Sequence, residues 1–592
     1  MRMKWRLRIL TIVLLVDLGA CLDFTQTVFG SYGTDGVPAA FGDFNSDELT
    51  DMFMLRDDFR TVQIFLGSDT EPLLKEGPKC SFKSLKISNV VPGDFDGDAL
   101  MDVMITAKTE DGKLGVYVNW GGQSYINCTS EEEKILEVHG EPMVLDYNDD
   151  MVMDLFGLER LPSGVEKRTF WLFKKDRSAP EVRQMPMLHS ASLRLPHSHA
   201  FLDLNHDFTA DLFLTAEGNF EVWNGTDLHN GFLFSHTIDL PTGLNKHVGQ
   251  AIFLDVELKG NINVVLPICF DSKCSNSTIL VHNGHKFHDL EINFKDPDNK
   301  QWGFVVPDDD LFTNAITLRG GDFNMDGYPD LLATLQQHPG GIIQTFLLEN
   351  VPMDRKPNPL SRTFVVRWKA LAPFANGTVA GAFYDFYQDG ILDVVLVEKA
   401  NGKYRTKAFR NSLDYDANFV KVIVLTGLMN KDVPTTKTPL GRTKKTYGTN
   451  LPGPRIAYYT ITQDGYPQYG TSPQIPQSAY FALHLPYTIF GLGRTPNFVD
   501  SITVGLANRS RTWTQLIPNS QVIVIPWPIK EPWRWKAQLF VTPSKLILMS
   551  MVALGGTCIV IMLIILGLYI KEKREDKLEK LQEAHRFHFD AM

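Results

Sequence analysis

Acidic side chains at alternate positions recur through the first two thirds of this 592-residue chain. The string GDFDGDALMDV sets Asp94, Asp96, Asp98 and Asp102 at positions one, three, five and nine of a short loop. The same spacing returns as Asp43, Asn45, Asp47, Asp51 and as Asp146, Asn148, Asp150, Asp154. It returns again as Asp203, Asn205, Asp207, Asp211 and as Asp322, Asn324, Asp326, Asp330. A weaker copy is Asp385, Tyr387, Asp389, Asp393, and a degenerate one begins at Asp255 with Glu257, Lys259 and Asn263. Such loops can turn several hard oxygens to one centre. That suits calcium, which takes six to eight oxygen ligands at about 2.3–2.6 Å. An EF-hand needs a bidentate Glu at position twelve and helices on both sides. Here position twelve is Met54, Ile105, Leu214 or Ala333, inside apolar runs. A lone DxDxD is often only a solvated acidic turn. Five near-complete copies in register predict calcium-binding β-hairpin loops, about five structural sites in all.

The copies are graded. Tyr387 makes binding at Asp385, Asp389 and Asp393 doubtful. At the Asp255 loop the ammonium of Lys259 is expected where a cation would sit, which leaves that copy metal-free. The five fuller loops carry sixteen carboxylates, and five calcium ions would bring ten positive charges against a formal net charge of −11. Without metal each cluster repels itself, so calcium is expected to stabilise the fold.

The elements that hold these loops can be read from their flanks. MFML follows Asp51, VMI follows Asp102, LFL follows Asp211 and VVLV follows Asp393. Short apolar runs bounded by turn residues read as buried strands. The unit is strand, acidic loop, strand, repeated at intervals of about 50 to 65 residues. Seven four-stranded units at this period fit the blades of a β-propeller. The fold class expected is all-β.

Both ends carry targeting signals. Basic residues, an apolar run and small residues over 1–21 read as a secretory signal peptide. The uncharged apolar stretch 546–570 is long enough to span a bilayer, and the basic and acidic tail 571–592 follows it. The expected order is therefore signal peptide 1–21, propeller 22–430, small β-domain 431–529, juxtamembrane linker 530–545, span 546–570 and cytoplasmic tail 571–592. The topology is that of a single-pass type I protein of the plasma membrane, made in transit through the ER. The positive-inside rule supports it weakly, because Lys530, Arg534, Lys536 and Lys545 make the outer flank basic too. Sequons at Asn127, Asn224, Asn276, Asn376 and Asn508 all fall between the two apolar segments. Cys80, Cys128, Cys269 and Cys274 remain outside the signal and the span. Cys269 and Cys274 are close enough to staple one turn, and Cys80 would pair with Cys128 by elimination. The alternative is that some stay as buried thiols.

An acidic balance argues against a nucleic-acid partner. No HExxH, GxSxG or Gly-rich phosphate loop occurs, so an ectoenzyme is the weaker alternative and no catalytic residue is assigned. His197 and His199 form an HxH read as a polar strand face rather than a metal pair. In the tail, Leu578 and Leu581 lie one helical turn apart, as a partner-binding helix would present them.

The loops resemble the FG-GAP repeats of integrin α subunits over roughly residues 23 to 430. The tail KEKREDKLEK lacks the GFFKR motif, and there is no room for integrin leg domains. The strands IAYYTI, YFALHL, DSITVGL and QVIVIPW, with FGLGRTPNFVDSITV, look like an ASPIC/UnbV-type β-domain. The whole order resembles the T-cell immunomodulatory protein family, also called Linkin. That resemblance implies a surface protein of adhesion and T-cell modulation, with a shed or secreted form. It further implies an extracellular protein ligand and cytoplasmic partners such as tubulin and RuvB-like AAA ATPases. A trafficking or chaperone-like co-receptor for other membrane proteins is the other reading kept.

Overall fold

The computed structural model describes residues 22–589 apart from 110–111, 161–163, 187–191, 227–230, 242–246, 309–311, 354–358, 372–376, 413–416, 431–446, 463–464, 476, 478, 495–497 and 542–544. The signal-peptide expectation at 1–21 and the sequon at Asn376 lie outside the described residues. Two compact bodies divide between Phe540 and Val541.

Strands dominate the first body. The first unit is an antiparallel sheet of Val37–Gly42, Asp51–Arg56, Thr61–Gly67 and Leu74–Ser81. The second and third share the strand Leu136–Leu145, whose start pairs back to Leu114–Gly121 and whose remainder pairs on to Asp154–Arg160. The fourth to sixth follow the same plan, centred on Asp211–Thr215, Asn263–Cys269 and Asp330–Gln337. The seventh joins Thr378–Tyr384, Asp393–Ala400 and Lys403–Arg410, and its fourth strand is Leu22–Asp23 from the other end of the chain. Strands of this kind alternate their side chains between two faces, and here both faces are apolar because each sheet is covered on both sides.

Apolar clusters lie between consecutive sheets. Met104 and Val116 of the second meet Val144 and Trp171 of the third. Phe213 of the fourth meets Leu266 of the fifth. Leu332 of the sixth meets Leu396 of the seventh. The cluster holding Phe53 and Ile64 of the first sheet also takes in Tyr384 and Val395 of the seventh. Each sheet thus packs on the next in chain order, and the seventh on the first.

A sandwich of two four-stranded sheets completes this body. One sheet runs Thr488–Gly493, Asn418–Val424, Ser520–Ile525, Lys536–Val541; the other runs Pro467–Pro473, Arg455–Ile461, Val499–Leu506, Arg509–Leu516. Val420, Val422, Phe490, Ile502 and Val522 fill the space between them. This moves the expected boundaries. Asn418–Val424 is not the end of the repeat region but a central sandwich strand, parallel to Ser520–Ile525. Lys536–Val541 is not linker but an edge strand of the same sheet. An apolar strand carries no local mark of the sheet it will join, and an exposed edge strand looks like linker.

Cys80 is bonded to Cys128 and Cys269 to Cys274. Beyond the sandwich, Lys545–Phe589 is one helix, so the apolar stretch and the charged tail are continuous. From Ser550 its mean hydropathy, 2.7, and its length are those of a membrane-crossing helix, which fits a single-pass membrane protein.

Candidate metal centre

Each acidic loop joins the first and second strands of its sheet, and all seven share one backbone. Position nine opens the second strand opposite the residue before position one, as in Gly42↔Asp51, Gly93↔Asp102, Leu254↔Asn263 and Tyr384↔Asp393. The position-one carboxylate accepts the amide at position six through Oδ2 in every copy, from Glu48 to Gly390. Its Oδ1 accepts the amide at position four or five. The position-nine carboxylate braces the third strand. Asp51 accepts from Gly67, Asp102 from Gly121, Asp330 from Asn350 and Asp393 from Asn411, all within 2.7–2.8 Å. Positions four and six have positive φ in all seven loops, although only Gly97, Gly260, Gly327 and Gly390 are glycines there. A non-glycine residue in that region costs roughly 1–3 kcal/mol. Glu48, Ala99, Met151 and Phe208 therefore hold position six against a local preference.

The Asp94 loop comes nearest to a ligand set. One oxygen each from Asp94, Asp96 and Asp102 lie within 4.8 Å of one another. Burial, then Asp96, pushes the Asp94 carboxyl up to about 8. Burial, then Asp96 and Asp94, holds Asp102 well above its usual value. Asp322 is pushed to about 8 by burial and Asp326, and Asp154 to about 8 and Asp211 to about 7 chiefly by burial. Asp51 and Asp146 are raised by burial first and by neighbouring carboxylates second. Buried, mutually repelling carboxylates of this kind fit a hard divalent cation. In the other four fuller loops position three is Asn, whose amide donates to position five at 2.8–3.2 Å.

Protein cations reach several loops. Arg177, from the third unit, donates from Nε to Asp96 at 2.6 Å while its guanidinium lies over Trp120. Arg455 of the sandwich approaches Asp203 at 3.6 Å and donates to the Gly260 carbonyl at 2.8 Å. Lys421 of the sandwich enters the Asp385 loop. Its Nζ is 3.4 Å from Asp385 Oδ2 and 2.6 Å from Gln388 Oε1, and 3.8 Å from the ring centroid of Tyr487. Its side chain is 2 % exposed. Burial pulls its ammonium below the usual lysine value, and Asp385 pulls the other way. Tyr387, at position three, stacks on Phe24, and the Arg410 guanidinium also lies over its ring. Lys259 does not occupy the Asp255 loop as expected: it pairs with Glu257 at 2.9 Å and is more than half exposed. The one sequence signal for Lys421 was a lone lysine inside FVKVIV; Arg177 and Arg455 had none.

The sandwich covers this face. Gly491 N–H donates to Asp322 at 3.0 Å, Asn430 to the Asp98 carbonyl at 2.9 Å, and Asn508 N–H to the Phe208 carbonyl at 3.1 Å. Met151 packs with Leu451, Leu506 and Trp535. A sandwich segment around 479–487 then penetrates among the first strands. Tyr480 N–H donates to Glu141 at 2.6 Å, Arg319 donates to the Phe481 carbonyl at 2.7 Å, and Phe481 and Leu483 join the core of the first sheet. Tyr480, Phe481 and Leu483 all have positive φ. Burial pushes Glu141 up to about 7. His197 and His199 are not on a polar strand face. Both are buried just before Ala200–Leu202, with rings stacked at 3.8 Å, and burial pulls His197 down to about 4.

Of the sequons, Asn127, Asn276 and Asn508 are exposed and Asn224 is partly so. Residues 446–540 match the family profile "ITFG1, C2 domain", in place of the ASPIC/UnbV likeness. The chain is similar to the human T-cell immunomodulatory protein, at 39 % identity across 98 % of this chain and 95 % of that one. It is similar to protein linkin of Caenorhabditis elegans, at 27 % identity across 94 % and 95 %. It is also similar to the T-cell immunomodulatory protein homolog of Plasmodium falciparum, at 25 % across 91 % and 86 %.

Proposed function

The chain belongs to the T-cell immunomodulatory protein family, and on that premise we propose that it is a type I cell-surface recognition and adhesion protein that modulates T cells. Its seven sheets are the blades of a propeller stiffened by calcium at the Asp43, Asp94, Asp146, Asp203 and Asp322 loops. The Asp255 loop takes no ion, and the Asp385 loop uses Lys421 in its place. The ectodomain is glycosylated, the tail is cytoplasmic, and tubulin and RuvB-like AAA ATPases are candidate partners for the helix beyond Ile570. The role is one of binding, without chemistry on a substrate.

One observation carries the reading: the sandwich lies on the acidic-loop face and a segment of it fills the space among the first strands. Calcium there serves architecture, and a partner is met elsewhere. Antiparallel strands alternate direction, so the turns between second and third strands lie at the opposite end of each sheet. Those turns include Asp57–Arg60, the Cys269–Cys274 staple and Asn401–Gly402. They are the proposed recognition surface.

The test is a glycan wedge. Lys403→Thr turns Asn401 into a glycosylation acceptor at one of these turns. Cells displaying the variant at normal surface level should lose T-cell binding. Full binding by the glycosylated variant would overturn the assignment of the surface. A shared loss of binding and surface level in ligand-loop variants such as Asp98→Ala is expected from a structural ion.

A further inference from the structure

The basic outer flank, which weakens the charge rule for topology, is part of a built surface. Residues 527–540 follow the sandwich core in sequence and precede the apolar helix. Trp535 is 1 % exposed and donates from Nε1 to the Pro528 carbonyl at 3.0 Å. Arg511, on the facing strand, donates to the carbonyls of Pro532 at 3.3 Å and Trp533 at 2.7 Å, and to that of Trp535. These bonds fix the turn Pro532–Arg534 and hold Trp533 outward, 70 % exposed. Trp527, Leu539 and Phe540 are exposed as well. Lys530 and Lys536 neighbour them in sequence and are exposed, and Arg534 pairs at 3.0 Å with Glu531, the single acidic residue of the segment.

An exposed tryptophan held by three bonds from one arginine is costly to leave in water. Covalent continuity identifies what covers it. The edge strand ends at Val541 and the apolar helix begins at Lys545. The four Cα-to-Cα steps between them span at most about 15 Å when extended. The segment therefore cannot leave the neighbourhood of the bilayer surface. Tryptophan favours the headgroup layer, where its ring is buried and its N–H stays wet, while lysine and arginine reach lipid phosphates.

We propose that Trp527, Trp533 and Phe540, with Lys530, Arg534 and Lys536, form a contact surface for the phospholipid headgroups of the membrane that anchors the chain. The rings enter the interface and the cations lie on phosphates. This does not depend on which partner the repeat region binds.

The helix contains no tryptophan, so tryptophan emission reports on the ectodomain alone. The full chain is placed in nanodiscs of phosphatidylcholine and phosphatidylserine, with ordinary or brominated acyl chains. Bromine should quench part of the emission. Trp533→Ala should roughly halve that quenching without moving the melting temperature. Lys530→Glu with Lys536→Glu, or high salt, should weaken it further. Equal emission in the two kinds of disc would overturn the proposal. So would quenching that persists unchanged when Trp527→Ala and Trp533→Ala are combined.

Discussion

The Asp94 loop and the Asp385 loop share a backbone and differ in how their charge is met. In both, the position-one carboxylate accepts amides at positions four to six, and position nine braces the third strand. The first gathers Asp94, Asp96 and Asp102, with the half-exposed Arg177 donating to Asp96. The second replaces one ligand by Tyr387 and receives the buried ammonium of Lys421 from another domain. The contrast teaches that one hairpin conformation accommodates two arrangements of charge. On the proposed reading the first turn is closed by an ion from solution, whereas in the second a side chain from the sandwich stands beside the position-one carboxylate.

The largest effect is expected at Lys421. Lys421→Met leaves Asp385 buried without its partner, and breaking a buried pair costs about 3–5 kcal/mol. Melting temperature and surface level should fall while calcium per chain stays constant. Adding Asp385→Asn should recover much of the loss. If Lys421→Met instead gains one calcium by elemental analysis, the two loops differ less than their side chains suggest.

Next comes the ion itself. Asp98→Ala should lose one calcium and about 2–3 kcal/mol of stability in excess calcium. A wild-type melting point that ignores effective chelation would erase the distinction between the loops, and so would seven calciums per chain.

Glu141 is a third case, a buried carboxyl whose partner is the Tyr480 amide. Burial raises it to about 7 from 4.5. Between those values the folded state keeps a proton that the unfolded chain has released, so stability falls as pH rises through that window and is level above it. Glu141→Gln should remove this slope, gaining up to about 3 kcal/mol at pH 8 and nothing near pH 4. Parallel melting curves of the two proteins across pH 4–8 would refute it. The smallest effect is expected from Asp389→Ala, within about 0.5 kcal/mol and without change in calcium, because Lys421 already serves that loop. A lost ion there would reverse the ranking.

Much of this was legible in the sequence because it is local. Positions one, three, five and nine, the apolar runs beside them, and the Cys269–Cys274 staple all follow from short-range spacing, whereas Cys80–Cys128, 48 residues apart, was reached only by elimination. What stayed hidden is what distant segments bring. Lys421 and Arg455 reach the loops from the sandwich, and the segment around Tyr480 enters between the first strands in a conformation that no glycine announces. The left-handed residues at positions four and six were equally invisible, since Met151 and Phe208 occupy them for reasons of the loop and not of propensity. The sandwich strand at Asn418 was misassigned for the same reason: its partner, Ser520–Ile525, lies about 100 residues away.

The two residues Leu22 and Asp23, which complete the seventh sheet against Arg410 and Phe409, set a timetable. They leave the ribosome before their partners, which follow roughly 390 residues later. At about 5–20 residues per second that is a wait of some 20–80 s. Throughout it, the first sheet has no seventh neighbour to cover its outer face. A chain cut short before residue 403 lacks the strand Lys403–Arg410, and Leu22 and Asp23 are then left without the partners that complete the seventh sheet.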